Sequence, residues 1–169
     1  MDQQFIDACI NDNINYVLEH YNCVDYDTFL YGFLHASRNN NIRSVAHMIG
    51  TKRLTWKDAL FNSIECNTKI QHLVIDMYNE SIQEIFELGC LTCLPHVIQK
   101  CASYISIDYD KGIEIIENKS EMGVDWKEET LKFVKLAKNN RDNYLKNRTN
   151  AQIINENKTI IINIKDLLD

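Results

Sequence analysis

The chain has 169 residues, 45% hydrophobic and 25% charged, with a formal net charge of −6. That length and apolar fraction suit one ordinary domain with a real core and exclude wholesale disorder. Five glycines and one proline exclude a turn-dense β-sandwich and a collagenous chain. Gly32, Gly50, Gly89, Gly112 and Gly123 stand too far apart to write either glycine-dependent phosphate loop.

Asparagine (19 residues) and isoleucine (22 residues) are abundant, which points first to AT-rich codon usage. The glycosylation patterns at Asn79, Asn118, Asn147 and Asn157 follow from that abundance. The start, Met1-Asp2-Gln3-Gln4, lacks the basic residues and apolar run of a secretion signal. The expectation is therefore a cytoplasmic chain whose six cysteines are free thiols. The longest uncharged apolar-leaning stretch, residues 88–99, holds Pro95 and His96. It falls short of the ~20 residues a bilayer span needs.

Four segments repeat along the chain, starting at Ala8, Ala36, Ser63 and Leu88, with starts 28, 27 and 25 residues apart. Each reads as a helix, a small or polar cluster, and a second helix. The clusters Asn11-Asp12-Asn13 and Asn39-Asn40-Asn41 suit tight turns, because Asn and Asp tolerate left-handed backbone and bond their own main chain. The second helices carry apolar residues at spacings of three and four: Ile14, Val17 and Leu18, then Ile42, Val45 and Ile49, then Ile70, Leu73, Val74 and Met77. Pro95 falls in the first turn of the fourth second helix, where proline costs nothing. Ala8, Ala36 and Ser63 are small where paired helices approach, and Leu88 breaks that pattern.

The run from Ala36 through Asn39-Asn40-Asn41-Ile42 to Val45 and Ile49 resembles the helix–turn–helix centre of an ankyrin repeat. Asp27-Thr28 with Leu34-His35, and Gly123-Val124-Asp125, are similar to that family's opening and closing motifs. The repeats are shorter than the family's ~33 residues, and Asn or Asp replaces the turn glycine. Such Asn- and Ile-rich repeats are similar to those of large cytoplasmic DNA viruses and amoebal genomes. The resemblance implies an α-solenoid adaptor that binds proteins through finger tips and inner helices, as a viral protein acting in the host cytoplasm.

The C-terminal third differs. Residues 104–109 alternate with period two and predict a short strand or extended finger. Asp125 and Glu128 read as the cap of a helix over residues 127–147. That helix is expected to bury Leu131, Val134, Leu136, Tyr144 and Leu145 and to close the open end of the stack. Residues 152–164 read as a hairpin around Asn155-Glu156-Asn157-Lys158. Its isoleucine-rich strand, residues 160–164 (Ile160, Ile161, Ile162, Ile164), would pack on residues 104–109, on a partner's sheet or on its own copy.

Candidate binding residues are the aromatics beside the inter-repeat turns. Asp25, Tyr26, Tyr31, Arg53 and Trp56 are chosen by position, since aromatic and arginine anchors dominate protein interfaces. Trp126 is a further flanking aromatic. Thr55-Trp56-Lys57-Asp58 also reads as a helix cap, which gives Trp56 a structural alternative. Cys90, Cys93, His96 and Cys101 have zinc-ligand chemistry, but one CxxC across a helix–turn–helix fits core packing better. A Cys–His dyad assembled by the fold would make a small hydrolase, although no nucleophile motif supports it. Residues 127–148 carry seven Lys or Arg against three acids. An acidic body repels phosphates, so a solvated face is preferred to a nucleic-acid site.

The expectation is thus all-α: a solenoid of short ankyrin-like helix pairs with a capping helix over residues 1–148, and a small β-hairpin over residues 149–169. Its work would be non-catalytic protein–protein interaction, without cofactor or membrane. The alternatives are a zinc-stabilised regulatory domain, a Cys–His hydrolase, and self-assembly through the C-terminal hairpin.

Overall fold

The computed structural model describes residues 2–64, 66–104, 106–119 and 124–146. All regular structure among them is helical. The expected hairpin over residues 152–164 lies outside the described residues. The chain divides into two compact units, Met1–Glu80 and Ser81–Asp169.

The first unit holds α1 (Gln3–Ile10), α2 (Ile14–His20), α3 (Tyr26–Arg38), α4 (Ile42–Gly50), α5 (Trp56–Phe61) and α6 (Thr68–Met77). Helix α1 packs on α3, α2 on α4, and α4 on α6, so first helices meet first helices and second helices meet second helices. Phe5 stacks on Phe29 with ring centroids 6.0 Å apart. Phe33, Val45, Met48, Leu60, Ile70 and Val74 complete the buried apolar layer. The contact between α1 and α3 demands a glycine. A Cβ on Gly32 would come within 2.9 Å of both the Cys9 Sγ and the Phe5 ring.

The turns within pairs follow from residue chemistry. Asp12 (φ 52°) and Asn40 (φ 57°) adopt the left-handed conformation expected of the Asn/Asp clusters. The Asn13 N–H donates to Ala8 O and the Asn41 N–H to Ala36 O, each at 2.9 Å, the six-to-one bond of a Schellman cap. The same bond closes the turn between α7 (Ile82–Thr92) and α8 (Pro95–Cys101), where Leu94 donates to Gly89 O at 3.0 Å and Cys93 takes φ 55°. The small residue equivalent to Ala8 and Ala36 is therefore Gly89, one position beyond Leu88. The fourth repeat keeps the pattern once its register moves by one residue. Pro95 is the first residue of α8, as its lack of an N–H requires.

Neighbouring turns of the first unit are stitched by side chains. Asn41 Nδ2 donates to Cys9 O and to Ile10 O, each at 2.8 Å. Asp12 accepts from the Ser44 N–H at 3.2 Å and the Ser44 hydroxyl at 2.6 Å. In the third pair Gln71 Nε2 donates to Ile64 O (2.8 Å) and Cys66 O (3.2 Å), bracing the longer connection.

The second unit adds α9 (Tyr109–Asn118) and α10 (Val124–Lys146). Helix α7 packs on α8 and α9, and α9 on α10. Residues 104–109 do not form a strand among the described residues. Asp108 instead caps α9, its carboxylate accepting from Asp110 N–H (3.0 Å) and Lys111 N–H (3.2 Å). Tyr109 then enters the core as the first helical residue. Its ring meets Phe86 edge-on at 5.4 Å and its hydroxyl donates to Ala102 O at 3.0 Å. A Cβ on Gly112 would lie 2.5 Å from the Phe86 ring, so α7 and α9 also meet at a glycine.

The long C-terminal helix forms, but begins at Val124, which puts Asp125 in its first turn instead of at the cap. There the carboxylate still complements the helix dipole. Val134 is fully buried, whereas Leu131, Tyr144 and Leu145 are half-buried and Leu136 is 48% exposed. Leu136 lies about 200° around the helix from Val134, on the outer face.

Candidate functional site

The five residues chosen for binding split by role. Asp25 caps α3, accepting from the Thr28 N–H at 2.7 Å. That bond is the main reason its carboxyl titrates below the ordinary range. Tyr26, 41% exposed, donates its hydroxyl to Asp58 Oδ2 at 2.7 Å. Thr55 and Asp58 form the expected capping box, with the Thr55 hydroxyl 2.5 Å from Asp58 Oδ2. The Thr55 and Tyr26 hydroxyls together hold the Asp58 carboxyl below its usual value. Burial and the bond to Asp58 push the Tyr26 phenol up to about 12.

Arg53 is structural. Its guanidinium lies 4.6 Å from the Phe29 ring centroid and donates to the carbonyls of Tyr21 and Val24, so it ties down the residues that lead into α3. Trp56, half-buried, opens α5 with the Lys57 ammonium 5.5 Å from its ring. Tyr31 is 40% exposed and meets His35 edge-on at 4.5 Å. Five positions separate it from Tyr26, about 140° around α3. The structure thus brings Tyr26 to the capping box beside Trp56, while Tyr31 faces elsewhere.

The cysteine set is dispersed. Cys90 and Cys101 are buried in the core, Cys93 sits in the left-handed turn, and His96 is exposed at the start of α8. Burial pushes the Cys90 thiol up to about 12, and the Cys9 thiol likewise. A nucleophile needs the opposite shift. Among the described residues no group of three or more His, Cys, Asp or Glu is arranged to hold a metal ion.

Four of the six basic side chains of α10 reach α9 or the residues leading into it, while Lys132 and Lys146 are exposed. Lys127 donates to Glu117 O (2.6 Å) and Lys119 O (3.2 Å), carbonyls at the negative end of α9. Lys135 pairs with Glu117 at 3.3 Å and Lys138 with Asp110. Arg141 lies 4.7 Å over the Tyr109 ring and donates to Ile107 O. The charge asymmetry read from residues 127–148 is in large part an intramolecular clamp.

Beside that clamp, the first turns of α10 present an aromatic face. Trp126, Glu129, Thr130 and Phe133 stand at i, i+3, i+4 and i+7, one face of the helix. With Pro95 and Ile98 of α8 they line a groove of about 90 Å³. Trp126 is 61% exposed, the largest exposure of any big hydrophobic side chain among the described residues. Glu129 is the one charged residue of the lining, and Asp125 and Glu128 are exposed nearby in sequence. Sequence reasoning found Trp126 but not the groove, because Pro95 and Trp126 lie 31 positions apart. Proline at a helix start was a signal for an exposed α8 end. Nothing in the pattern said that α10 meets it.

No helix among the described residues is long and apolar enough to cross a membrane. No family model matches the chain, and neither a curated protein nor a solved structure matches it.

Proposed function

We propose that this chain is a non-catalytic protein–protein interaction module, an adaptor built as a solenoid of degenerate ankyrin-like helix pairs. The observation that carries the proposal is the apolar groove beneath an exposed Trp126, closed on its other side by Pro95 and Ile98. Exposed aromatics at a concave apolar site are the usual anchors of protein interfaces. The ankyrin-like part draws support from the layering of α1 on α3 and of α2, α4 and α6, and from the recurrent Schellman turns. The inert, buried Cys9 and Cys90 thiols favour a binding role over cysteine chemistry.

The test is capture from an extract of the source cell on the immobilised full chain, with Trp126→Ala in parallel. A discrete partner held by the unaltered chain, and about tenfold less by Trp126→Ala, is the expected result. Retention of nothing beyond what a heat-denatured control holds would overturn the proposal.

A further inference from the structure

The groove carries a sign as well as a shape. Its floor and walls are apolar, from Pro95, Ile98, Trp126 and Phe133, and Glu129 is its single charge. Asp125 and Glu128 are exposed on the same helical end. The cation that follows Trp126 in sequence is drawn off, since Lys127 donates to the carbonyls of Glu117 and Lys119 at the end of α9. What remains in the lining is one carboxylate beside apolar walls, in a groove of about 90 Å³, the scale of a single side chain.

Resting on the interaction-module reading above, we propose that the Trp126 groove takes a single arginine or lysine side chain from a basic, apolar-flanked segment of a partner protein. The chemistry of such a side chain fits each wall. Its methylene stem covers the faces of Phe133 and Ile98, as long cationic side chains do on apolar surface. Its head lies over the Trp126 ring, the best aromatic acceptor for a cation, and reaches the Glu129 carboxylate. An acidic segment would meet Glu129 with like charge, and a purely apolar one would leave that carboxylate desolvated and unpaired. The acids Asp125, Glu128 and Glu129 at this end of α10 favour a basic segment over an acidic one.

The probes are three hexapeptides: acetyl-Ala-Leu-Arg-Leu-Arg-Ala-amide and its counterparts with Glu or Gln in place of Arg, each added to the full chain. The indole N–H signals of Trp126 and Trp56, told apart with Trp126→Phe, report the site, and the shift of the Trp126 signal with peptide concentration reports affinity. The Arg peptide is expected to move the Trp126 signal and leave that of Trp56 in place. Glu129→Gln should weaken it about threefold, and Glu129→Lys should reverse the preference toward the Glu peptide. Trp126 and Glu129 are both exposed, so these variants keep the fold.

Equal binding of the three peptides, or an Arg-peptide affinity unchanged in Glu129→Gln, would overturn the assignment. So would a doubling of mass in sedimentation that Trp126→Ala abolishes, which gives the groove to a second copy. A partner captured from extract whose retention ignores Glu129→Lys would overturn the basic-segment assignment and leave the module reading standing. Capture of no partner overturns the module reading itself.

Discussion

The two units solve one problem by different chemistry. In the first, neighbouring helix pairs are joined at their turns by short polar side chains: Asn41 to the carbonyls of Cys9 and Ile10, and Asp12 to Ser44. In the second, α7, α9 and α10 are joined by an aromatic core at Tyr109 and by lysines and an arginine reaching across from α10. The first device works through local hydrogen bonds, which salt hardly affects. The second depends partly on ion pairs, which salt screens. The chain has two tryptophans, Trp56 in the first unit and Trp126 in the second. Phenylalanine at either one leaves a fluorescence probe for the other unit alone.

The largest expected break is at the α7–α9 contact. Gly112→Val places a branched side chain where even a Cβ comes within 2.5 Å of the Phe86 ring. We expect a loss of about 3 kcal/mol, read as a lower urea midpoint in Trp126 fluorescence with little change at Trp56. Phe86→Leu in the same chain should recover part of that loss. If the double variant is as unstable as the sum of the two, the close approach is not what Gly112 serves.

Alkali loads both units next, since the first holds the raised phenols of Tyr26 and Tyr78 and the second that of Tyr109. Burial raises the Tyr109 phenol from 10.0 to about 12. A phenol whose folded value is raised adds stability that is complete below the unfolded value. That stability drains away as pH climbs from 10 toward 12. Over that range the second unit should lose on the order of 2 kcal/mol. In Tyr109→Phe the slope of stability against pH should flatten above about pH 10. An unchanged slope at the Trp126 probe would mean that another group titrates there.

Asn41→Ala tests the polar stitching. It strips the donor from two carbonyls at once and should cost about 1–2 kcal/mol. The loss should appear at Trp56 and stay constant as salt rises. A loss that shrinks with salt would make the staple electrostatic in origin and blur the contrast between the units.

Much of this architecture is legible in the sequence. Helix pairs, their lengths and the turns at Asp12 and Asn40 follow from apolar spacing and from residues that accept left-handed backbone. The Thr55–Asp58 box and the placement of Pro95 were local signals and came out as expected. The features that the sequence hides lack such a signal. Cys93 and Lys52 also take positive φ, and neither residue type announces it, so the fourth repeat was set one residue early. Residues 106–109 alternate in burial, with Ile107 and Tyr109 buried, which imitates a strand although Asp108 is a helix cap. Arg53 reads in the sequence as a surface anchor because its targets, the carbonyls of Tyr21 and Val24, lie about thirty residues upstream. The groove at Trp126 needs two helices that only folding brings together.

Ser37 reverses the direction of change. It is fully buried in α3, and its hydroxyl has no hydrogen-bond partner among the described residues. Burying an unpaired hydroxyl is unfavourable, so Ser37→Ala should stabilise the first unit by about 1 kcal/mol. A drop in the Trp56 midpoint would show that the hydroxyl is satisfied in solution.

The smallest effect is the one that defines the second unit's character. Lys135 and Glu117 are both about half exposed, at 50% and 52%, so water screens their 3.3 Å ion pair and two flexible side chains are ordered to form it. Lys135→Ala should therefore cost no more than about 0.5 kcal/mol. That loss should vanish by about 1 M salt, where the screening length is near 3 Å. Lys127 differs, because it bonds main-chain carbonyls at the end of α9. Its replacement should keep part of its cost at high salt, since the carbonyls lose a donor as well as a charge. If both replacements fade equally with salt, α10 is held to α9 by charge alone and the helix-end bonds contribute nothing of their own.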